Sequence, residues 1–417
     1  MVEHLFRDQA GKMVATLTSI FGLEHLALAE DVVQEALARA LQTWPFYGVP
    51  NNPAAWIMRT ARNLALDVVR RQKVSREKEP EVIRLMDRSD SGPDDLVFDE
   101  EEITDDRLRL MFVCCHPAIA AADQVAFALK TLCGFSITEI SRAFLTTDAA
   151  IAKRLTRAKQ KIRDARIEFE IPAGAELKQR LDGVLQALYF LFNEGYKASS
   201  GETLVRQGLC REAIRLTTLL AEHPAGNQPK THALLALMLL NSARFSARVD
   251  SDGNLLRLQD QDRSQWDQAM IAKGMFHLAQ SAAGDSLSTY HLLSAIAACH
   301  CAAKDYASTD WPRILSLYDR LLEFDNSPII ALNRSVAVAN VHGPAAAIEA
   351  LAAIRNQPEL NSYYLLHAAQ GEFECRLGHL PTAAEHFRHA LKLTQLDSER
   401  AFLSKRIHEC AAISLPT

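Results

Sequence analysis

Phe135-Ser136-Ile137-Thr138-Glu139-Ile140-Ser141-Arg142-Ala143-Phe144-Leu145-Thr146-Thr147-Asp148-Ala149-Ala150-Ile151-Ala152-Lys153-Arg154-Leu155-Thr156-Arg157-Ala158-Lys159-Gln160-Lys161-Ile162-Arg163 reads as two short helices around a tight turn. The first, Ser136 to Phe144, turns Ile137, Ile140 and Ala143 inward and follows Gly134. Leu145-Thr146-Thr147 make the turn, and Thr147 is placed to cap the second helix, Asp148 to about Arg166. In that helix Ile151, Leu155, Ala158 and Ile162 recur at helical spacing, while Lys153, Arg154, Arg157, Lys159, Lys161, Arg163 and Arg166 face only Asp148 and Asp164. A helix that enters a major groove needs this pattern, with base-edge contacts at its N-terminal end and phosphate-neutralising cations along its flank. Ala149 and Ala150 stand where base-reading side chains are expected. Direct readout there is thin, and recognition leans on Lys153, Arg154 and backbone geometry.

Towards the N-terminus the same periodicity predicts a helix over residues 24–43, with Leu28, Val32, Val33, Ala36, Leu37 and Leu41 inward and Glu30, Asp31, Gln34, Glu35 and Arg39 wet. The segment from Trp44 to Pro53 holds three prolines and a glycine, which predicts a break in the chain's helical run. A second helix is expected from about Ala54 to Gln72, with Trp56, Ile57, Ala61, Leu64, Ala65 and Val68 inward and Arg59, Arg62, Arg70 and Arg71 outward. From Lys73 to Asp106 periodicity fails and the charge turns from basic to strongly acidic, which reads as a polar linker.

Beyond Pro172-Ala173-Gly174, helix follows helix with turns at His223-Pro224, Gly284-Asp285, Asn326-Ser327-Pro328, Gly343-Pro344 and His379-Leu380-Pro381. Gly371, Ala383, Phe387 and Ala390 reproduce the small and aromatic spacing of tetratricopeptide packing, so a solenoid of helix pairs is expected. Arg248 to Gln261 differs, with Val249-Asp250-Ser251-Asp252-Gly253-Asn254 read as a tight turn between two short extended arms. The chain as a whole is predicted to be all-α.

With 417 residues the sequence exceeds what one core usually organises, and 48% hydrophobic with 23% charged residues is ordinary for a soluble globular protein. The formal charge of −5 argues against a protein that coats nucleic acid, although basic and acidic residues sit in separate blocks. Met1 to Lys12 has no apolar core of a secretory signal, and the apolar run Ala233 to Leu240 is too short to span a bilayer. Scattered cysteines show no disulfide framework, which suits a reducing cytoplasm. Cys114-Cys115-His116 and Cys299-His300-Cys301 lack zinc-site spacing and read as packing. The loop at Asp250 places its glycine early for an EF-hand. No base, nucleophile and orienting group converge at Asn193-Glu194-Gly195-Tyr196, so neither an enzyme nor a cofactor is expected.

Two basic helical modules joined by an acidic strap resemble an extracytoplasmic-function (group 4, sigma-70 family) RNA polymerase sigma factor. Ala29-Glu30-Asp31-Val32-Val33-Gln34-Glu35-Ala36 resembles the region 2 helix that docks on the polymerase clamp, which implies core contacts by Asp31, Gln34 and Glu35. The stretch from Trp56 to Asp67, followed by Arg70-Arg71, resembles the helix that engages the −10 element. The resemblance assigns that role to Phe46, Tyr47, Asn51, Asn52, Trp56, Arg59, Arg62, Asn63, Arg70 and Arg71, with the Phe46–Asn52 loop offering stacking and amide groups to an unstacked base. Phe135 to Ile140 with Lys153 to Ala158 resembles region 4, implying −35 contacts by Thr147, Ala149, Ala150, Lys153, Arg154, Arg157 and Lys161.

Cys114-Cys115-His116-Pro117, Asn193-Glu194-Gly195-Tyr196 and Gln261-Asp262-Arg263-Ser264-Gln265-Trp266-Asp267 are similar to the subgroup, often numbered 42, that carries a C-terminal tetratricopeptide-like extension. In that subgroup the extension is thought to regulate the sigma modules, and a DGPF-type small protein is often encoded nearby. The layout implied is region 2 over residues 1–72, the linker over 73–106, region 4 over 107–170 and the extension over 171–417. The partners implied are core polymerase and promoter DNA, in the cytoplasm and away from membranes. The competing reading is a helix-turn-helix regulator with a repeat-type sensor domain, which leaves the Glu30–Arg71 helices without a role.

Overall fold

The computed structural model describes residues 2–74, 105–165, 174–197, 206–250, 255–394 and 396–413. The expected acidic linker falls almost entirely outside these residues. The fold is all-α; the extended backbone among the described residues is an isolated antiparallel bridge between Val249 and Leu255. That bridge matches the expected pair of arms, while the turn residues 251–254 lie outside the described set. Among the described residues, no helix is long and apolar enough to cross a membrane.

Two compact units divide the chain, one of residues 1–191 with 222–226, the other of 192–221 with 227–417. The first opens with α1 (Val2–Phe21), α2 (Leu26–Tyr47) and α3 (Pro53–Val74). Leu26, Ala29, Val32, Val33, Ala36, Ala40 and Trp44 form the inner stripe of α2, and Ile57, Ala61, Ala65 and Val69 answer from α3. Leu41, expected inward, is 56% exposed, because the true stripe runs through Ala40 and Trp44 instead. Pro45 does not end α2 as expected. It lies in the last turn, where it removes a single backbone donor, and the helix closes two residues later when Gly48 N–H reaches Trp44 O at 2.9 Å with φ +84°. The edge-on contact of Trp44 and Trp56, 5.6 Å between ring centres, ties the two helices across the turn.

The second half of this unit holds α4 (Asp106–Cys114), α5 (Ala121–Leu132), α6 (Ile137–Ala143) and α7 (Asp148–Asp164). Ser136 and Glu139 form a reciprocal capping box at the start of α6. Thr147 caps α7 by accepting from Ala150 N–H, as the sequence predicts. The turn between them places Leu145 at φ +49°, a left-handed conformation uncommon for a non-glycine residue. Asp148 accepts from Thr138 Oγ1 at 2.8 Å and from Ser141 Oγ, which fixes the angle between α6 and α7 and draws the Asp148 carboxyl below its ordinary pKa. Helix α1 packs on α4 and α5 as well as on α2. A Cβ at Gly11 of α1 would lie 1.8 Å from Leu132 O, so that approach requires glycine.

Helix α8 (Gly174–Tyr196) leads to the second unit, with α9 (Gln207–Glu222), α10 (Pro229–Ser242), α11 (Gln268–Ser281), α12 (Thr289–Ala302), α13 (Trp311–Phe324), α14 (Pro328–Val341), α15 (Pro344–Ile354), α16 (Tyr364–Arg376), α17 (Leu380–Leu393) and α18 (Asp397–Ile413). From α12 to α18 each helix packs on the next in chain order, with short turns between them. The spacing around Gly371 proves to be a close approach: a Cβ there would meet Phe387 Cε1 at 2.7 Å. Phe387, Ala383 and Ala390 are fully buried beside it.

Candidate nucleic-acid interface

Three surfaces of the first unit carry the residues that the sequence singles out. On α2, Asp31, Gln34 and Glu35 are all exposed. Asp31 and Glu35 form the acidic lip of a groove of about 480 Å³ whose remaining lining is Leu28, Val32, Leu64 and Val68. An apolar floor under an anionic lip accepts a partner helix with apolar and basic side chains. Leu28, Leu64 and Val68, expected in the core, are half-buried because they line this groove. The second surface is the last turn of α2 with the short turn that follows it; Phe46 and Tyr47, expected in a loop, are the last residues of the helix. Phe46 is 84% and Tyr47 89% exposed, an unusual position for two neighbouring aromatic rings. Asn51 and Asn52 are exposed beside them, and Asn52 Oδ1 accepts from Ala55 N–H at 3.1 Å, starting α3. Arg59, Asn63, Arg70 and Arg71 are exposed along α3, whereas Arg62 is half-buried and the Trp56 ring is engaged by Trp44. The exposed rings can stack on unpaired bases while the guanidiniums hold backbone phosphates.

The third surface is α7. Thr147, Ala149, Lys153 and Lys161 are exposed and Ala150 is half-buried. Arg154 is half-buried with its guanidinium 5.5 Å above the Phe144 ring, which holds its charge close to the helix. Arg157 makes a two-pronged pair with Asp123 of α5, Nε to Oδ2 at 3.0 Å and Nη2 to Oδ1 at 2.8 Å, and that carboxylate raises the Arg157 pKa. Arg157 thus fastens α7 to α5 as well as adding positive charge. Lys159 Nζ lies 2.8 Å from Glu30 Oε2, and Thr131 Oγ1 donates to Glu30 Oε1 at 2.9 Å. Glu30 is therefore half-buried and bonded to α5 and α7, although periodicity puts it on the wet face of α2. Its partners lie 101 and 129 residues away in sequence, beyond the reach of any local pattern.

Comparison with known proteins gives the first two of these surfaces, those on α2 and α3, a family. Residues 5–74 match Sigma-70 region 2. Residues 180–282 match a family of unknown function, DUF6596. The chain is 38% identical over 391 residues to the uncharacterized protein R00370 of Rhizobium meliloti (strain 1021), covering 93% of this chain and 91% of that protein. Region 2 is a polymerase-binding and promoter-recognition module, and here it contains both the groove on α2 and the exposed aromatic turn. The chain belongs to the family of that rhizobial protein, and its own N-terminal region 2 supports a sigma-70-type sigma factor.

Proposed function

We propose that this protein is a sigma factor of the extracytoplasmic-function type that binds core RNA polymerase, recognises −10 and −35 promoter elements and helps melt DNA. The observation that carries the reading is the pairing, within one small module, of the acid-lipped groove at Asp31 and Glu35 with the exposed Phe46-Tyr47 turn. The first suits a polymerase helix, the second an unstacked base. Lys153, Arg154 and Lys161 on α7 serve the −35 element, with Thr147 and the small Ala149 and Ala150 allowing close backbone approach. The C-terminal repeats modulate this activity, and the acidic strap joins the two modules. A DGPF-type small protein, suggested by the resemblance, is a further candidate partner.

The reading has a mechanical requirement. Elements about 25 base pairs apart are separated by roughly 85 Å of duplex at about 3.4 Å per base pair. A compact unit of 191 residues has a radius of gyration of about 16 Å and spans about 40 Å. The contacts of α1 and α2 with α5 and α7 must therefore release before one chain grips both elements. Run-off transcription with purified core polymerase tests the proposal: specific initiation by core plus this chain supports it. A requirement for another sigma factor contradicts it and favours a helix-turn-helix regulator.

A further inference from the structure

The second unit contains a cluster of buried nitrogen donors that the promoter-recognition reading does not use. It forms where the end of α10, the start of α11 and the end of α12 meet. Trp266 lies at its centre, 3% exposed. The Arg244 guanidinium carbon is 5.2 Å from the centre of the Trp266 ring and that of Arg263 is 5.0 Å away. Arg244 Nε, Arg263 Nε, Trp266 Nε1 and His300 Nδ1 are all buried, and none has a hydrogen-bond partner among the described residues. Burial and the two arginines push the His300 pKa down to about 3, so its ring is neutral and able to donate from Nδ1.

The charge is equally unbalanced. Arg244 and Arg263 repel one another, and Arg244 also acts on Arg248. Among the described residues, neither Arg244 nor Arg263 makes an ion pair. Asp305 attracts Arg263 from a distance, but its carboxylate accepts from Ser308 N–H at 2.8 Å. Part of the Arg263 fork is structural: Nη1 donates to the carbonyls of His300 and Ala303, capping α12, and Nη2 donates to Thr309 Oγ1. Those bonds fix the guanidinium and leave Nε over. Arg244 is held more loosely, by one long bond of 3.4 Å to Gln261. A water molecule can satisfy donors but cannot offset two neighbouring like charges, one of them, Arg263, buried. A compact oxyanion does both, because it carries charge and lone pairs in several directions.

We propose that Arg244, Arg263, Trp266 and His300 form a binding site for a phosphate-class oxyanion, presented as the free ion or as the terminal phosphoryl group of a small molecule. Three of the four residues lie in the DUF6596 segment, and the motif from Gln261 to Asp267 supplies two of them. The site thus gives that segment a ligand-sensing role. It stands independently of promoter recognition, since it belongs to the other unit.

The test is equilibrium dialysis of the full-length protein against radiolabelled inorganic phosphate, and separately against a labelled phosphomonoester, at constant ionic strength in potassium chloride. One saturable site per chain, accompanied by a change in tryptophan fluorescence, is the expected result. Whichever of the two probes binds more tightly identifies the form of the ligand. R244Q, which leaves the Arg263 caps in place, weakens binding by roughly tenfold or more through loss of a charged donor. No saturable uptake of either probe at millimolar concentration overturns the proposal on wild-type protein alone. Unchanged affinity in R244Q also overturns it, since the anion would then reside elsewhere, for example on the basic helix α7.

Discussion

Replacing Thr131 with valine isolates one of the contacts that hold the two basic modules together. The Thr131 hydroxyl donates to Glu30 at 2.9 Å, with Thr131 4% exposed and the Glu30 side chain 15% exposed. A shielded hydrogen bond to a carboxylate contributes about 1.5–3 kcal/mol. The accompanying Lys159–Glu30 pair counts for much less, about 0.5 kcal/mol, because Lys159 is 43% exposed. Valine keeps the shape and removes only the first bond, costing about 2 kcal/mol, or roughly 30-fold in the balance between docked and released modules. Thr131 lies on none of the three proposed binding surfaces, so a direct effect on binding does not confuse the outcome. The assay is the affinity of the polymerase complex for a DNA fragment bearing both promoter elements, compared with one bearing the −10 element alone. T131V is expected to tighten binding to the two-element fragment, by up to about 30-fold, and to leave the single-element fragment unchanged. Equal effects on both fragments, or weaker binding to the longer one, would falsify the release step.

Alanine at Lys153 or Lys161 should reduce the salt dependence of DNA binding by about 0.9 in the logarithmic slope for each phosphate no longer neutralised, with thermal stability unchanged. R157A should instead lower the melting temperature, since it strips the 5%-exposed Asp123 carboxylate of its cation; an unaltered melting temperature contradicts the fastening role. Removing the rings at Phe46 and Tyr47 should impair strand opening, seen with 2-aminopurine in the −10 element, at about 1–3 kcal/mol per stacked base. Equal loss of binding to closed duplex counts against base stacking there. G371A forces a Cβ to within 2.7 Å of the buried Phe387 ring and should destabilise the second unit by about 1–3 kcal/mol, measured by thermal unfolding. Burial holds His232, His277, His291, His367 and His386 below the usual pKa, and His300 at about 3. The folded state therefore binds fewer protons than the unfolded chain, so stability present above about pH 6.5 is lost on acidification. A melting temperature that stays level or rises between pH 7.5 and 5.5 refutes that sign.

Local rules made much of this architecture legible. The Thr147 cap, the α6–α7 turn and the helix succession after residue 206 depend on neighbours within a few positions, where periodicity and turn chemistry act. Gly371 and Phe387 were visible because close helix packing demands small residues opposite large ones. Pro45 misled because its cost depends on position, and in a final turn it removes one bond rather than breaking a helix. Leu41 and Glu30 misled for another reason. The angular drift of a long helix and the arrival of a distant partner decide which side is wet, and neither is encoded within the helix itself. Arg157 looked like any other cation on α7 until Asp123 of α5 was placed against it. The nitrogen cluster around Trp266 was beyond reach, because Arg244, Trp266 and His300 come from three different chain segments.

The central claim is that this chain works on RNA polymerase through the groove between α2 and α3. Titration of purified bacterial core polymerase with the fluorescently labelled chain, in wild-type form and as a D31R/E35R variant, tests it most directly. Saturable association by the wild type, abolished or greatly weakened when the acidic lip is reversed, is the result the account predicts. Absence of association by the wild type, or association indifferent to that reversal, contradicts it.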